Sequence, residues 1–158
     1  MCIQHGVSYL TAGELDLCAQ VRAMCACHRL RCALRGVTDL YEDALAASRL
    51  KVTQLPILVA LASGGDMSVS VLADALSLDR TTLTRNLQTL EARGLIVTTE
   101  SDDDRRVRIV SLTLEGSRVL SGALAGWEQM QSVVEQRFGR ERLSALYDEL
   151  AALGDAIA

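Results

Sequence analysis

Two sets of leucines, Leu72 and Leu76 before it and Leu83, Leu87 and Leu90 after it, flank the three-residue turn Ser77-Leu78-Asp79. Steps of four and three put each set on one face of a helix. With so short a turn, the two faces meet and lock the helices at a fixed angle. Ser68 and Asp79 stand just ahead of the two helices, each suited to accept a hydrogen bond from an unpaired first-turn amide. The pattern predicts helices over Val69–Leu76 and from Arg80 to about Arg93, the second stopped by Gly94. Two runs rich in Val, Ile and Thr follow, Leu95–Thr99 and Val107–Leu112, around a polar, charged tip at 100–106. They read as a β-hairpin. Helix, turn, helix and hairpin, in that order, is a winged helix-turn-helix.

The flanks are helical too. From Leu15 to about Ala47, Cys27, Leu30, Leu34, Val37, Tyr41 and Ala44 recur at steps of three and four and form one apolar stripe. Leu17, Val21 and Met24 form a second strip, confined to the N-terminal half. A helix that is apolar on two sides must be covered twice, by its own domain and by a partner subunit. A further helix is expected from near Thr53, as its cap, through Pro56 in the first turn to Gly64-Gly65. Helices from Thr113 to about Arg137 and from Arg140 to Ala156 close the chain, the last with Leu143, Leu146, Tyr147 and Leu150 on one side. The expected fold is mainly α with a small β-hairpin wing. One domain spans 1–158, with a winged-helix lobe at 53–113 and dimerisation helices at 14–47 and 114–157.

Charge is distributed unevenly. The chain carries 16 basic and 20 acidic residues, net −4, which on average disfavours a nucleic-acid partner. Yet the segment from Arg80 to Arg93 has three Arg and one acid, and Arg105, Arg106 and Arg108 cluster on the hairpin. From Thr113 onward there are four Arg and seven acids, so the acid excess lies elsewhere. The outer side of the second helix is small and polar: Arg80, Thr81, Thr82, Thr84, Arg85 and Gln88. Hydroxyls and guanidinium groups near a helix N-terminus suit phosphate and base-edge contacts in a major groove. Three threonines so early in a helix are poor for helix propensity, which favours a surface role for them.

These residues resemble a known family. Asp104-Arg105-Arg106-Val107-Arg108-Ile109-Val110-Ser111-Leu112-Thr113 matches the Asp-x-Arg-x5-Leu-Thr wing signature of the MarR transcriptional regulators. Leu78-Asp79-Arg80-Thr81-Thr82-Leu83-Thr84-Arg85-Asn86-Leu87, with Leu90-Glu91 and Gly94-Leu95-Ile96, is similar to that family's recognition helix. Leu40-Tyr41 and Val52-Thr53-Gln54 also fall where the family has them, so the resemblance covers nearly the whole chain. It implies a cytoplasmic homodimer that places two recognition helices on a near-palindromic operator in double-stranded DNA, without a cofactor. Arg106 would enter the minor groove, with Asp104 holding it by a salt bridge, while Thr81, Thr82, Thr84 and Arg85 read the major groove. A repressor relieved by a small molecule or by thiol modification is the expected function. An anionic aromatic effector, with His28, Arg31 and Trp127 as pocket formers, is the ligand the resemblance suggests.

Five cysteines, Cys2, Cys18, Cys25, Cys27 and Cys32, crowd the first fifth of the chain. An odd set with no visible signal peptide is not a disulfide framework and fits a reducing cytosol. On one unbroken helix Cys18, Cys25 and Cys32 share a side, while Cys27 lies on the opposite apolar stripe. Neighbours in that series lie about 10.5 Å apart, too far for a disulfide within the helix. Cys25 with His28, or His28 with Cys32, has chelating spacing, but a full metal site needs further ligands. Counting back from Tyr41, Cys27 takes the place of the peroxide-sensing cysteine of the OhrR branch of the family. The tyrosines that accompany the thiol there have no counterpart, and Arg31 stands nearby. Three readings of Cys27 stay open: a small apolar residue, a redox sensor, or a sensor of thiophilic metals.

Other classes are weaker. No Ser/His/Asp set, phosphate-binding loop or paired-carboxylate motif is present, and the only histidines are His5 and His28, so a thiol peroxidase is the one enzyme reading. A winged helix kept only for protein contacts is another alternative. No apolar run approaches the roughly 18 residues that span a bilayer, so no membrane role is expected.

Overall fold

In the structure, a computed structural model that describes residues 10–157, eleven short segments follow one another. They are α1 (Ala12–Met24), α2 (Ala26–Leu45), a 3₁₀ turn (Ala46–Ser48), α3 (Leu55–Gly64), β1 (Met67–Ser68), α4 (Val69–Ala75), α5 (Arg80–Ala92), β2 (Ile96–Glu100), β3 (Arg108–Leu112), α6 (Leu114–Phe138) and α7 (Arg140–Ile157). The chain divides into two units between Asp39 and Leu40, within α2. Cys2 and His5 lie outside the described residues.

The first unit departs from the single helix expected over 15–47. Thr11 caps α1 in a reciprocal box with Glu14, whose carboxylate these hydrogen bonds hold below its ordinary range. The helix then breaks at Cys25, where ψ is 108°. No Gly or Pro marks the break. Arg29 Nη2 donates to the Ala23 carbonyl at 3.0 Å, supplying a partner that the interrupted helix does not. Because Cys25 belongs to neither helix, Cys18, Cys25 and Cys32 do not share one continuous face. Cys27 keeps its place with Leu30, Leu34 and Val37 along α2, and all four are exposed.

The second unit follows the sequence closely. Ser68 Oγ accepts from Val71 N, and Asp79 Oδ1 from Thr82 N, so α4 and α5 start where their caps stand. Leu72, Leu83 and Leu87 are buried at the helix–helix contact, with Leu76 packed at its edge. Burying each leucine side chain contributes about 1.5–3 kcal/mol. The core continues through Ile57, Leu58 and Leu61 of α3, Ile96 and Val110 of the hairpin, and Leu120 of α6. β2 and β3 pair antiparallel, with Ile96 opposite Leu112 and Glu100 opposite Arg108. A third strand, β1, pairs Met67 with Val110 and Ser68 with Ile109, giving the order β1-β3-β2. Two residues are too few to show alternation, so the sequence did not predict it.

Two local expectations change. Thr53 does not cap α3; Gln54 stands at that position without a capping bond from its side chain to the first-turn amides, and Pro56 lies in the first turn. Of the predicted inner side of α7, only Leu143 is buried, while Leu146, Tyr147 and Leu150 are 40–52% exposed.

Candidate nucleic-acid interface

α5 presents its polar side outward because Leu83, Leu87 and Leu90 anchor its opposite side in the core. Arg80, Thr81, Thr84, Arg85 and Gln88 are exposed, and Thr82 is half-buried. Asp79 fixes the start of the helix by accepting from Thr82, and these bonds hold its carboxyl below the usual range. At the other end, Glu91 Oε1 accepts from Thr98 N at 2.9 Å, tying the last turn of α5 to the base of the wing.

The wing projects from the same side. Arg105 and Arg106 lie in the turn between β2 and β3, and Arg108 opens β3. A cleft of about 510 Å³ separates α5 from the start of α4 and the wing, and Ser68, Ser70, Arg80, Thr84, Arg106 and Arg108 all line it. A neighbouring recess of about 370 Å³ shares Arg80, Thr84 and Gln88 with this cleft and adds Thr81 and Arg85. The helix and wing arginines, placed apart in the sequence, therefore converge on one cationic surface. Arg108 is partly balanced by Glu100 at 3.8 Å across the hairpin.

One expected contact takes a different form. Among the described residues no ion pair joins Asp104 to Arg106; Asp104 Oδ1 instead accepts from the Arg106 backbone N–H at 2.9 Å. This bond shapes the turn and leaves the Arg106 guanidinium free of that carboxylate.

The cysteine region gives a mixed result. Cys18, Cys27, Cys32, His28 and Arg31 are exposed, and Cys25 is half-exposed at the helix break. Cys32 Sγ lies 3.6 Å from His28 Nε2, the contact their spacing of four allows. No group of three His, Cys, Asp or Glu side chains among the described residues is placed to hold a metal ion. Trp127 on α6 is 40% exposed.

Sequence reasoning missed a polar network in the second unit. Tyr41 donates to Gln131 Oε1 at 2.6 Å, and Gln131 Nε2 donates to the Tyr147 hydroxyl at 3.2 Å, linking the end of α2 with α6 and α7. Burial, followed by the neighbouring Tyr147 and Glu135, pushes the Tyr41 hydroxyl up. Glu42 accepts from Lys51 Nζ and Val52 N, both at 2.9 Å. Arg93, at the end of α5, donates to the carbonyls of Ser48 and Arg49. A basic residue in the last turn of a helix was the one available signal for Arg93.

Comparison with known proteins places this geometry. Residues 50–107 match the family model described as MarR family. The chain is similar to the HTH-type transcriptional regulator FarR of Neisseria gonorrhoeae, 31% identical over 128 residues, which are 79% of this chain and 88% of that protein. It is also similar to the organic hydroperoxide resistance transcriptional regulator of Bacillus subtilis (strain 168), 31% identical over 91 residues, which are 58% of this chain and 62% of that protein. Among solved structures, the M. tuberculosis transcriptional regulator MosR in complex with DNA superimposes with a TM-score of 0.77 at 32% identity, over 84% of this chain and 96% of that one.

Proposed function

Since the chain belongs to the MarR family of transcriptional regulators, we propose that it acts in the cytoplasm as a homodimeric repressor of a near-palindromic operator. The observation that carries this reading is the convergence of Arg80 and Thr84 of α5 with Arg106 and Arg108 of the wing on one cleft. In it, α5 enters the major groove, where Thr81, Thr82, Thr84, Arg85 and Gln88 meet base edges and phosphates. Arg106 reaches the minor groove, with Asp104 shaping its turn, and Arg80, Arg105 and Arg108 neutralise phosphates. The similar MosR structure contains DNA, which supports the same use of the fold here. The chain is read as a regulator and not as an enzyme.

The test is binding to a duplex selected by the protein from a random-sequence library. Arg106→Ala should weaken binding and reduce the salt slope by about 1. Arg85→Ala should relax base preference at one position, worth about 1–3 kcal/mol. Unchanged binding in both variants would remove α5 and the wing from the interface.

Two signals for release are consistent with the chain. Thiol modification is supported by four exposed or half-exposed cysteines, by the Cys32–His28 contact and by the similarity to a hydroperoxide-resistance regulator. A small anionic aromatic effector, engaging His28, Arg31 or Trp127, is the other. Either acts if it changes the spacing of the two recognition helices, because half-site spacing is set by the DNA repeat. Treating the bound complex with mild peroxide, a thiophilic metal and a panel of aromatic acids separates them.

A further inference from the structure

Between the end of α2 and the start of α3 the chain has little regular structure, yet several of its polar groups are held from both sides. Arg93 Nη1 donates to the Arg49 carbonyl at 2.6 Å and Nη2 to the Ser48 carbonyl at 3.0 Å. Arg49 itself is left-handed, with φ 54°, a conformation that a residue bearing a Cβ adopts only where its surroundings hold it. Ser48 Oγ donates to Leu45 O and accepts from Leu50 N. Gln54, 4% exposed, accepts from Lys51 N, and Thr53 Oγ1 donates to Asn86 Oδ1 on α5 at 3.2 Å. On the other side, Glu42 of α2 takes Lys51 and the Val52 amide. The junction is thus fastened to α2 by one carboxylate and to α5 by Arg93 and Asn86.

We infer that Arg93 is a positioning residue: its guanidinium, on two successive carbonyls of the α2–α3 junction, sets the tilt of α5 relative to the end of α2. A planar guanidinium that donates two bonds at once fixes orientation as well as distance, which a single ammonium does not. α5 has 13 residues and is about 20 Å long. Pivoting it by about 5° at Arg93 moves the Arg80 end by roughly 1.7 Å, enough to break hydrogen bonds that tolerate only a few tenths of an ångström. Arg93 lines neither cleft beside α5 and its guanidinium is engaged by the Ser48 and Arg49 carbonyls, so the role inferred for it runs through the helix. Because the end of α2 is joined to α6 and α7 through Tyr41, Gln131 and Tyr147, the same residue connects recognition helix to dimerisation helices. This inference rests on the reading of the chain as a DNA-binding homodimer.

The experiment has two arms, each run on the full chain with Arg93→Gln and Arg93→Lys. In the first, hydrogen–deuterium exchange of the free protein should rise in Arg93→Gln across 48–54 and α5, with α6 and α7 unchanged. No rise in 48–54, or an equal rise throughout the core, overturns the inference. In the second, affinity is measured for the library-selected duplex and for versions with one base pair added or removed at its centre. Arg93→Gln should lose roughly tenfold on the selected duplex, as for one or two hydrogen bonds, and much less on the respaced ones. Its salt slope should stay that of the unmodified protein, and Arg93→Lys should fall between the two. Equal losses on all spacings make Arg93 merely structural, and a slope lower by about 1 makes it a phosphate contact. If Arg93→Gln does not fold, Arg93→Lys carries both arms with the same expectations. If the unmodified protein selects no duplex, the DNA-binding reading fails, while the exchange arm still decides whether Arg93 couples α5 to the junction.

Discussion

Glu42 illustrates how a single side chain joins two elements and leaves a measurable trace. The Lys51 ammonium, followed by the Val52 amide, holds its carboxyl below the ordinary 4.5. A carboxylate depressed in the folded state contributes stability that is complete above its unfolded value and is lost as pH falls through the folded one. The melting temperature of the unmodified protein should therefore drop as pH falls below about 5, and that of Glu42→Gln should drop less over the same acid range. Equal drops would assign the acid sensitivity to other carboxylates, Asp79 among them. Local partners such as Ser68 and Asp79 were legible in the sequence, because a cap and its amide lie within three residues. Glu42 and Arg93 were not, because their partners stand 10 and 44 residues away and no periodicity encodes that pairing.

Elements were legible where their signals were local and repeated. α4, α5, the hairpin, α6 and α7 fall within about two residues of their expected bounds, the ordinary uncertainty of helix ends. The break at Cys25 carries no composition signal, and it changes the geometry on which the thiol arguments depended. Contact between elements also sets limits that sequence patterns do not reveal. A Cβ on Gly126 would lie 2.6 Å from the Ala44 carbonyl, so α6 crosses the end of α2 at a point where only glycine fits. Gly126→Ala should destabilise by about 1–3 kcal/mol in denaturant unfolding, as overpacking does. Stability within about 0.5 kcal/mol of the unmodified protein would mean that the crossing yields easily.

For the whole molecule, the net charge of −4 concealed the organisation that matters. α6 and α7 carry seven acidic residues against four arginines, while Arg80, Arg85, Arg105, Arg106 and Arg108 of α5 and the wing form the cationic face. The same α6 and α7 leave Leu124, Trp127, Leu146, Tyr147, Leu150 and Leu153 between 39% and 52% exposed. A second copy of the chain is the proposed cover, and Leu150→Glu should shift the purified protein toward monomer in sedimentation velocity while retaining its helical spectrum. A variant that sediments as the unmodified protein does would place the subunit interface elsewhere. A monomer should also lose most operator affinity, since two recognition helices on one operator bind with a shared effective concentration. The proposed dimer rests on the leucine stripe of α7, which was legible in the sequence. The two apolar strips read on one helix over 15–47 fall on separate helices, Leu17, Val21 and Met24 on α1 and Cys27 to Ala44 on α2, because the break at Cys25 carries no composition signal.

The central claim, that the α5 and wing surface binds duplex DNA, is tested most directly by the salt dependence of binding to the library-selected duplex. The account predicts that log K falls linearly with log salt, with a slope near −0.9 for each phosphate neutralised by the arginines of α5 and the wing. Binding that is absent, or that does not change with salt, would contradict it.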